Sequence, residues 1–178
     1  MWVKDIFNEK LKHKIKEKIN IPQILILVII VYIVFSIFVV GIAPTSSMEP
    51  NIYPKDLLIA NKLIKDFKRG DVVIFKHENQ IYCKRIIGLP GDNIIIVDGS
   101  VYINGQPLKE PYIKEPIEYI MEEVEIPKEH YFVLGDNRND SEDSYCFGPI
   151  KNKDIIGKVI LKFNFKQGFD LHLNKLKN

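Results

Sequence analysis

Apolar and polar positions follow two different regimes along the chain. From Ile21 to Ala43 the sequence runs IPQILILVIIVYIVFSIFVVGIA, and no charged side chain occurs between Lys18 and Glu49. A helix in the core of a soluble domain carries a polar stripe. Here Ser36 is the one small polar residue in the apolar run from Ile24 onward. The 20 residues from Ile24 to Ala43 would make a helix of about 30 Å, the thickness of a bilayer's hydrocarbon core. The pattern predicts a transmembrane helix over residues 21–43.

After Ala43 the pattern shortens to runs of four to eight residues rich in Ile, Val, Tyr and Phe, separated by turn residues. Strands are expected at Leu57–Ile64, Asp71–Phe75, Ile81–Ile87, Asn93–Val97, Val101–Ile103, Val124–Ile126, Tyr131–Leu134 and Ile155–Phe165. Asp98-Gly99 is a two-residue hairpin signal, and Asn104-Gly105 marks a second tight turn. The stretch Gln106–Glu123 holds three prolines and reads as a surface excursion. No long helical period or internal repeat follows residue 43. The expected fold is mainly β: one membrane helix, then a compact antiparallel β domain over residues 44–178.

Charge adds an orientation. Residues 1–20 carry six Lys against one Asp and two Glu, so the positive-inside rule puts them in the cytoplasm and residues 44–178 on the outer face. Gly41-Ile42-Ala43 resembles a small-x-small cleavage site. The apolar run is too long for a secretory signal, however, and proline follows Ala43, so a retained single-pass anchor is the better reading. The formal net charge of +2 gives no reason to expect a nucleic-acid partner. The two cysteines, Cys83 and Cys146, are expected as free, partly buried thiols.

Three polar islands stand out: PTSSMEP at Pro44–Pro50, YCKRIIGLPGD at Tyr82–Asp92 and GDNRNDSEDS at Gly135–Ser144. Serine, proline and asparagine clusters usually mark loops, so Ser46 and Ser47 invite a spacer reading first. Lys84 is the residue that argues otherwise. It ends the alternating run IYCK and precedes Ile86-Ile87. A solvated lysine there would be unremarkable, and is neutral only about once in a thousand near pH 7.5. A buried one would have its pKa lowered by desolvation, and a neutral lysine can take the proton of a serine hydroxyl. The histidines offer no comparable base. His13 and His172 lie near the ends, His77 sits in the polar turn KHENQ, and His130 precedes the strand YFVL. No HExxH, paired CxxC or phosphate-binding glycine loop occurs, so neither metal nor cofactor is expected.

An apolar segment followed by PTSSMEP, RGDVVIF (Arg69–Phe75), KRIIGLPGD (Lys84–Asp92) and GDNRNDSEDS closely resembles bacterial type I signal peptidase, four ordered boxes of a Ser-Lys peptidase. The resemblance implies Ser47 as nucleophile and Lys84 as general base. It implies Thr45 and the backbone N–H of Ser47 as the oxyanion hole, and Ser141 as the hydroxyl that orients the lysine. Asp143, Arg85 and Asp136 would brace the site through ion pairs, and Ala43, Pro44, Met48, Ile74, Tyr82 and Cys83 would line small-residue pockets. The implied substrates are preprotein signal peptides, cut after a small-x-small motif at the outer face of the cytoplasmic membrane by a monomer embedded in the lipid bilayer.

The chain departs from that family pattern twice. Asp143-Ser144-Tyr145 stands where the family usually has DSR, so Arg85, Arg138 or a hydrogen bond from Tyr145 would have to serve Asp143. Less ion-pair energy would then be lost in Asp143→Asn, which is expected to be milder than Ser141→Ala. Asp140 stands where asparagine is common. Two other readings compete: a self-cleaving Ser-Lys repressor domain, disfavoured by the membrane segment, and a non-catalytic anchored β domain, disfavoured by the presence of both Ser47 and Lys84.

Overall fold

Asp98-Gly99 and Asn104-Gly105 take φ of 50° and 73°, and of 52° and 78°. This left-handed backbone is what two-residue hairpin turns need and what Asp, Asn and Gly tolerate best. They close hairpins in which Val97 pairs with Ser100 and Ile103 with Gln106. The computed structural model describes residues 21–164 and 168–170. The expectations for residues 1–20, for His13 and His172, and for Phe165 as a strand end therefore lie outside the described residues. The chain divides into two units after Ser36.

In the first unit, helix α1 spans Ile21–Ile37, 17 residues, with no buried side chain. The hydroxyl of Ser36 donates to Tyr32 O at 2.8 Å, which returns its polarity to the helix's own backbone. Among the described residues no helix is long and apolar enough to cross a membrane. The expected helix over 21–43 is therefore corrected at its C-terminal end. Phe38–Ile42 forms strand β1, antiparallel to β2 (Leu57–Asn61), with Phe38 opposite Asn61 and Ile42 opposite Leu57. Three β-branched residues and a glycine in FVVGI favour extended backbone over helix, and β2 offers a matching ladder.

The second unit contains two sheets. The larger is ordered β1-β2-β11-β3-β4-β9-β10, with β12 beside β11. Its strands are β3 (Val72–His77), β4 (Gln80–Gly88), β9 (His130–Leu134), β10 (Ile150–Lys151), β11 (Ile155–Asn164) and β12 (Gly168–Asp170). The late strand β11 inserts between β2 and β3. Gly157 allows this, since a Cβ there would lie 2.8 Å from Asn61 O. The smaller sheet is ordered β7-β6-β5-β8, made of β5 (Asn93–Val97), β6 (Ser100–Ile103), β7 (Gln106–Pro107) and β8 (Met121–Glu125). A one-turn helix, α2 (Ser144–Phe147), precedes β10.

All eight expected strands form, with ends shifted by up to three residues, while β1, β7, β10 and β12 escaped the sequence pattern. The excursion expected at Gln106–Glu123 is not wholly on the surface. Tyr112 and Ile117 are buried with Ile87, Ile94, Phe132 and Leu134 in the core that joins the two sheets. A second core, of Ala43, Met48, Ile52, Leu58, Ala60, Val72, Ile74 and Val159, lies beneath the loop that carries Ser47. Burying Met48 and Ile52 contributes about 1.5–3 kcal/mol each, which pins that loop from both sides of the serine.

Candidate active site

Ser47 lies in a tight loop between β1 and β2. Its entry is held by Ala43 N–H donating to Asp56 O at 2.9 Å, and its exit by Ile52 N–H donating to Met48 O at 2.8 Å. Met48 faces the core, which leaves Ser47 at the lip of a cleft and itself buried. Lys84 reaches the same point from β4. Beyond Leu134, which pairs with Arg85, the chain leaves β9, so β9 covers only the Arg85–Gly88 part of β4. The Gln80–Lys84 part therefore has one edge open to the cleft.

Lys84 Nζ donates to Ser47 Oγ at 2.7 Å and to Ser141 Oγ at 3.0 Å. Thr45 Oγ1 lies 3.1 Å from Ser47 Oγ. Lys84 is 3% exposed, so it has lost the water that would stabilise its ammonium. Burial lowers its pKa below the usual lysine range, opposed first by the charge of Asp143, then by Cys83, Glu142 and Asp136. A lysine with these contacts can hold a free pair toward a serine hydroxyl, the arrangement that Ser-Lys hydrolysis requires.

Gly135 brings the third loop in. A Cβ at that position would lie 2.3 Å from Ser141 Oγ and 2.5 Å from Ser47 O, so glycine permits the approach of the two loops. Asn137 N–H donates to Ser47 O at 3.0 Å on the buried side of the same junction.

Of the bracing residues, Arg85 and Asp136 form an ion pair as expected, whereas among the described residues Asp143 does not. Arg85 forms a two-pronged pair with Asp136, Nε to Oδ1 and Nη2 to Oδ2, both at 2.7 Å, and donates to Gly70 O. The guanidinium also lies 4.3 Å over the ring of Tyr112, a contact the sequence did not announce. Arg138 pairs with Glu110 and donates to Gly135 O. Neither arginine serves Asp143, and among the described residues no arginine pairs with it. Asp143 instead accepts the N–H of Gly135 at 2.8 Å and the N–H of Tyr145 at 3.1 Å. Of the expected substitutes for an arginine, Tyr145 is thus the one that acts, through its backbone; its ring stacks on Tyr119, centroids 4.0 Å apart. Burial raises the Asp143 pKa, opposed by the N–H of Gly135 and the hydroxyl of Ser141.

The cleft measures about 250 Å³ and is lined by Ala43–Met48, Ile52, Gln80–Lys84 and Asp140–Glu142. Five of the six expected pocket residues, Ala43, Pro44, Met48, Tyr82 and Cys83, are therefore at its wall. Ile74 is not. It pairs with Cys83 across β3 and β4 and belongs to the core beneath. Asp140, noted in the sequence for replacing a common asparagine, lines the cleft as well. Ile52, Gln80, Ile81 and Glu142 line it without having been singled out, because only the open edge of β4 and the loop crossing bring them there. Both cysteines are free, but Cys146 is exposed rather than partly buried. The thiol of Cys83 is pushed up to about 12 by burial. His130 begins β9 and contacts Lys128 O at 2.9 Å, remaining a strand-start residue. Among the described residues no group of three or more His, Cys, Asp or Glu is placed to hold a metal ion.

Comparison with known proteins converges on the same segments. The profile of the family described as "Signal peptidase, peptidase S26" matches residues 17–164. A Synechocystis sp. protein named probable signal peptidase I-2 is 40% identical over 131 residues, covering 67% of this chain and 60% of that protein. A signal peptidase I of Leptolyngbya laminosa is 38% identical over 133 residues, 67% of this chain and 66% of its own length. Signal peptidase I P of Bacillus subtilis subsp. natto is 37% identical over 160 residues, 80% of this chain and 86% of that protein. The chain thus spans about three fifths of the Synechocystis relative and just under two thirds of the Leptolyngbya one. With the profile running through all three site loops and the Bacillus relative matched over most of both lengths, the chain belongs to the signal peptidase family, peptidase S26.

Proposed function

We propose that the chain is a serine endopeptidase that removes N-terminal signal peptides from exported preproteins, cleaving after a small-x-small motif. The observation that carries this reading is the 2.7 Å contact between Ser47 Oγ and the buried Lys84 Nζ. Neutral Lys84 takes the hydroxyl proton as Ser47 Oγ attacks the scissile carbonyl. The oxyanion is received by the Ser47 N–H and the Thr45 hydroxyl, a donor pair of which each member contributes about 3 kcal/mol. The Lys84 ammonium then protonates the leaving amine, giving an acyl-enzyme on Ser47. Lys84 next deprotonates a water that hydrolyses the ester. Ser141 holds Nζ in line throughout, while Arg85, Asp136 and Asp143 keep the two loops in place. No metal or cofactor enters, and a single copy of the chain carries every group named.

The substrate backbone lies extended along the open edge of β4, Gln80–Lys84, and its ladder bonds supply affinity. Ala43, Pro44, Met48, Tyr82 and Cys83 form shallow pockets that accept small side chains and reject bulk. The exposed aliphatic surface of α1 and the lysines of residues 1–20 support a single-pass anchor in the cytoplasmic membrane, with the β unit on the outer face. Anchoring confines enzyme and signal peptide to one surface and raises their effective concentration. Reporter fusions after Lys18 and after Asn178 should report opposite sides.

The central test is preprotein cleavage by the Ser47→Ala chain in detergent. Cleavage should vanish while the variant still protects a bound preprotein from wild-type enzyme. Retained cleavage would overturn the reading.

A further inference from the structure

We propose that the hydrogen bond from Ser46 to Asp140 is a clasp between the two walls of the cleft, making Ser46 and Asp140 positioning residues for turnover. The inference rests on the peptidase reading of Ser47 and Lys84. Ser46 Oγ donates to Asp140 Oδ2 at 2.8 Å across 94 positions of sequence. Each partner is the immediate neighbour of a hydroxyl that Lys84 Nζ touches: Ser46 precedes Ser47, and Asp140 precedes Ser141. Both line the cleft.

Lys84 cannot itself set the distance between the two hydroxyls, because its ammonium sits on a flexible stem and can donate in three directions. That separation has to come from the loops. On the buried side, Asn137 ties them, its N–H donating to Ser47 O at 3.0 Å and its Nδ2 to Ser46 O at 3.3 Å. On the solvent side, the Ser46–Asp140 bond is the tie between them. Ser141 is fixed from its C-terminal flank by the cap that Asp143 makes on α2. From its N-terminal flank, Asp140 N–H donates to Asn137 O at 3.2 Å, a bond within its own loop. Without the clasp, the side-chain ties between that flank and the Ser47 loop among the described residues are those of Asn137 and Asp136, four and five positions before Ser141.

The role needs an acceptor oxygen, not a charge. The carboxylates acting most on Lys84 are Asp143, Glu142 and Asp136, so Asp140 is not needed to set its ionisation. Asp140 is exposed and Ser46 half-exposed, so losing their bond should hardly move global stability. It should instead appear in the chemical step, where small misplacements of reacting groups are costly.

The test is a double-mutant cycle on the intact chain: Ser46→Ala, Asp140→Ala, the double variant and Asp140→Asn, assayed on a preprotein ending in Ala-x-Ala. Each alanine variant should lose about ten- to a hundredfold in kcat, with KM within about twofold and thermal unfolding unmoved. The double variant should be no worse than the worse single, since both remove one interaction. Asp140→Asn should recover most of the kcat, because its side-chain oxygen still accepts from Ser46, and its pH profile should overlay that of the unmodified chain. Multiplicative losses in the double variant would overturn the clasp. So would alanine variants with full turnover, or an asparagine variant as impaired as the alanine one. Any of these beside an inactive Ser47→Ala would leave the peptidase reading intact, whereas an active Ser47→Ala would remove that reading first.

Discussion

Gly135 and Asp143 are joined by a buried hydrogen bond, N–H to Oδ2 at 2.8 Å, while Oδ1 of the same carboxylate receives Tyr145 N–H at 3.1 Å. Both oxygens are therefore used as acceptors, from Tyr145, one of the expected substitutes for an arginine, and from Gly135, which the sequence did not suggest. An asparagine offers one acceptor oxygen and turns an amide N–H toward the other donor. Asp143→Asn should lose about 1–3 kcal/mol of stability from the donor left unsatisfied, and turnover should fall as Ser141 shifts. With two N–H donors at stake, we now expect Asp143→Asn to cost at least as much turnover as Ser141→Ala. Parallel unfolding and cleavage measurements on the two variants check the order, and an Asp143→Asn chain as stable as wild type would contradict it.

Gly135 makes a second test of the same junction. In Gly135→Ala the new methyl would sit 2.3 Å from Ser141 Oγ and 2.5 Å from Ser47 O, and a backbone carbonyl cannot swing aside as a side chain can. Overpacking of this kind costs about 1–3 kcal/mol, and here the displacement falls on both loops of the site. The variant should fold with a lowered melting temperature and lose most of its turnover. Wild-type kcat in a folded Gly135→Ala chain would show that the two loops tolerate separation.

Lys84 sets the pH dependence. Burial lowers its pKa from the ordinary lysine value, so the active, neutral form accumulates as pH rises through that lowered value, and turnover should rise with it. Stability has the same sign. Between the folded and unfolded pKa the unfolded chain holds a proton that the folded chain has released, so stability increases with pH across that window. In Lys84→Arg the guanidinium stays charged, and turnover should drop about 10²–10⁴-fold at every pH, with the alkaline rise abolished. Cleavage profiles in detergent decide this, and an arginine variant near wild-type turnover would transfer the base to another residue.

Asp136 should prove structural. Its carboxylate bonds Arg85 through two contacts of 2.7 Å and accepts Asn51 Nδ2 at 2.8 Å, with both ion-pair side chains almost fully buried. Asp136→Ala takes the carboxylate from a buried guanidinium, a change that costs about 3–5 kcal/mol. Denaturant midpoint and cleavage should fall together, and the alkaline rise of the surviving activity should move to lower pH, because Asp136 is one of the charges that hold a proton on Lys84. Unaltered stability in a folded Asp136→Ala chain would contradict the structural role.

The eight strands from Leu57 onward, and the Asp98-Gly99 and Asn104-Gly105 turns, were legible in the sequence because alternation and left-handed turn residues are local properties. The candidate chemistry of Ser47 and Lys84 was legible only through the resemblance of four ordered boxes to a known family, since a serine in a loop and a lysine at a strand end are locally unremarkable. The sequence did not reveal that FVVGI leaves the helix to pair with β2, because an uninterrupted apolar run fits a membrane helix and an edge strand equally well. Nor did it reveal that Tyr112 enters the core to cover Arg85. It could not show which carboxylate each arginine would meet, or that Ser46 would reach Asp140. Such pairings depend on β11 entering between β2 and β3 and on where β9 ends beside β4. These are long-range ladders whose partners lie far apart in sequence, so only the folded chain could choose them.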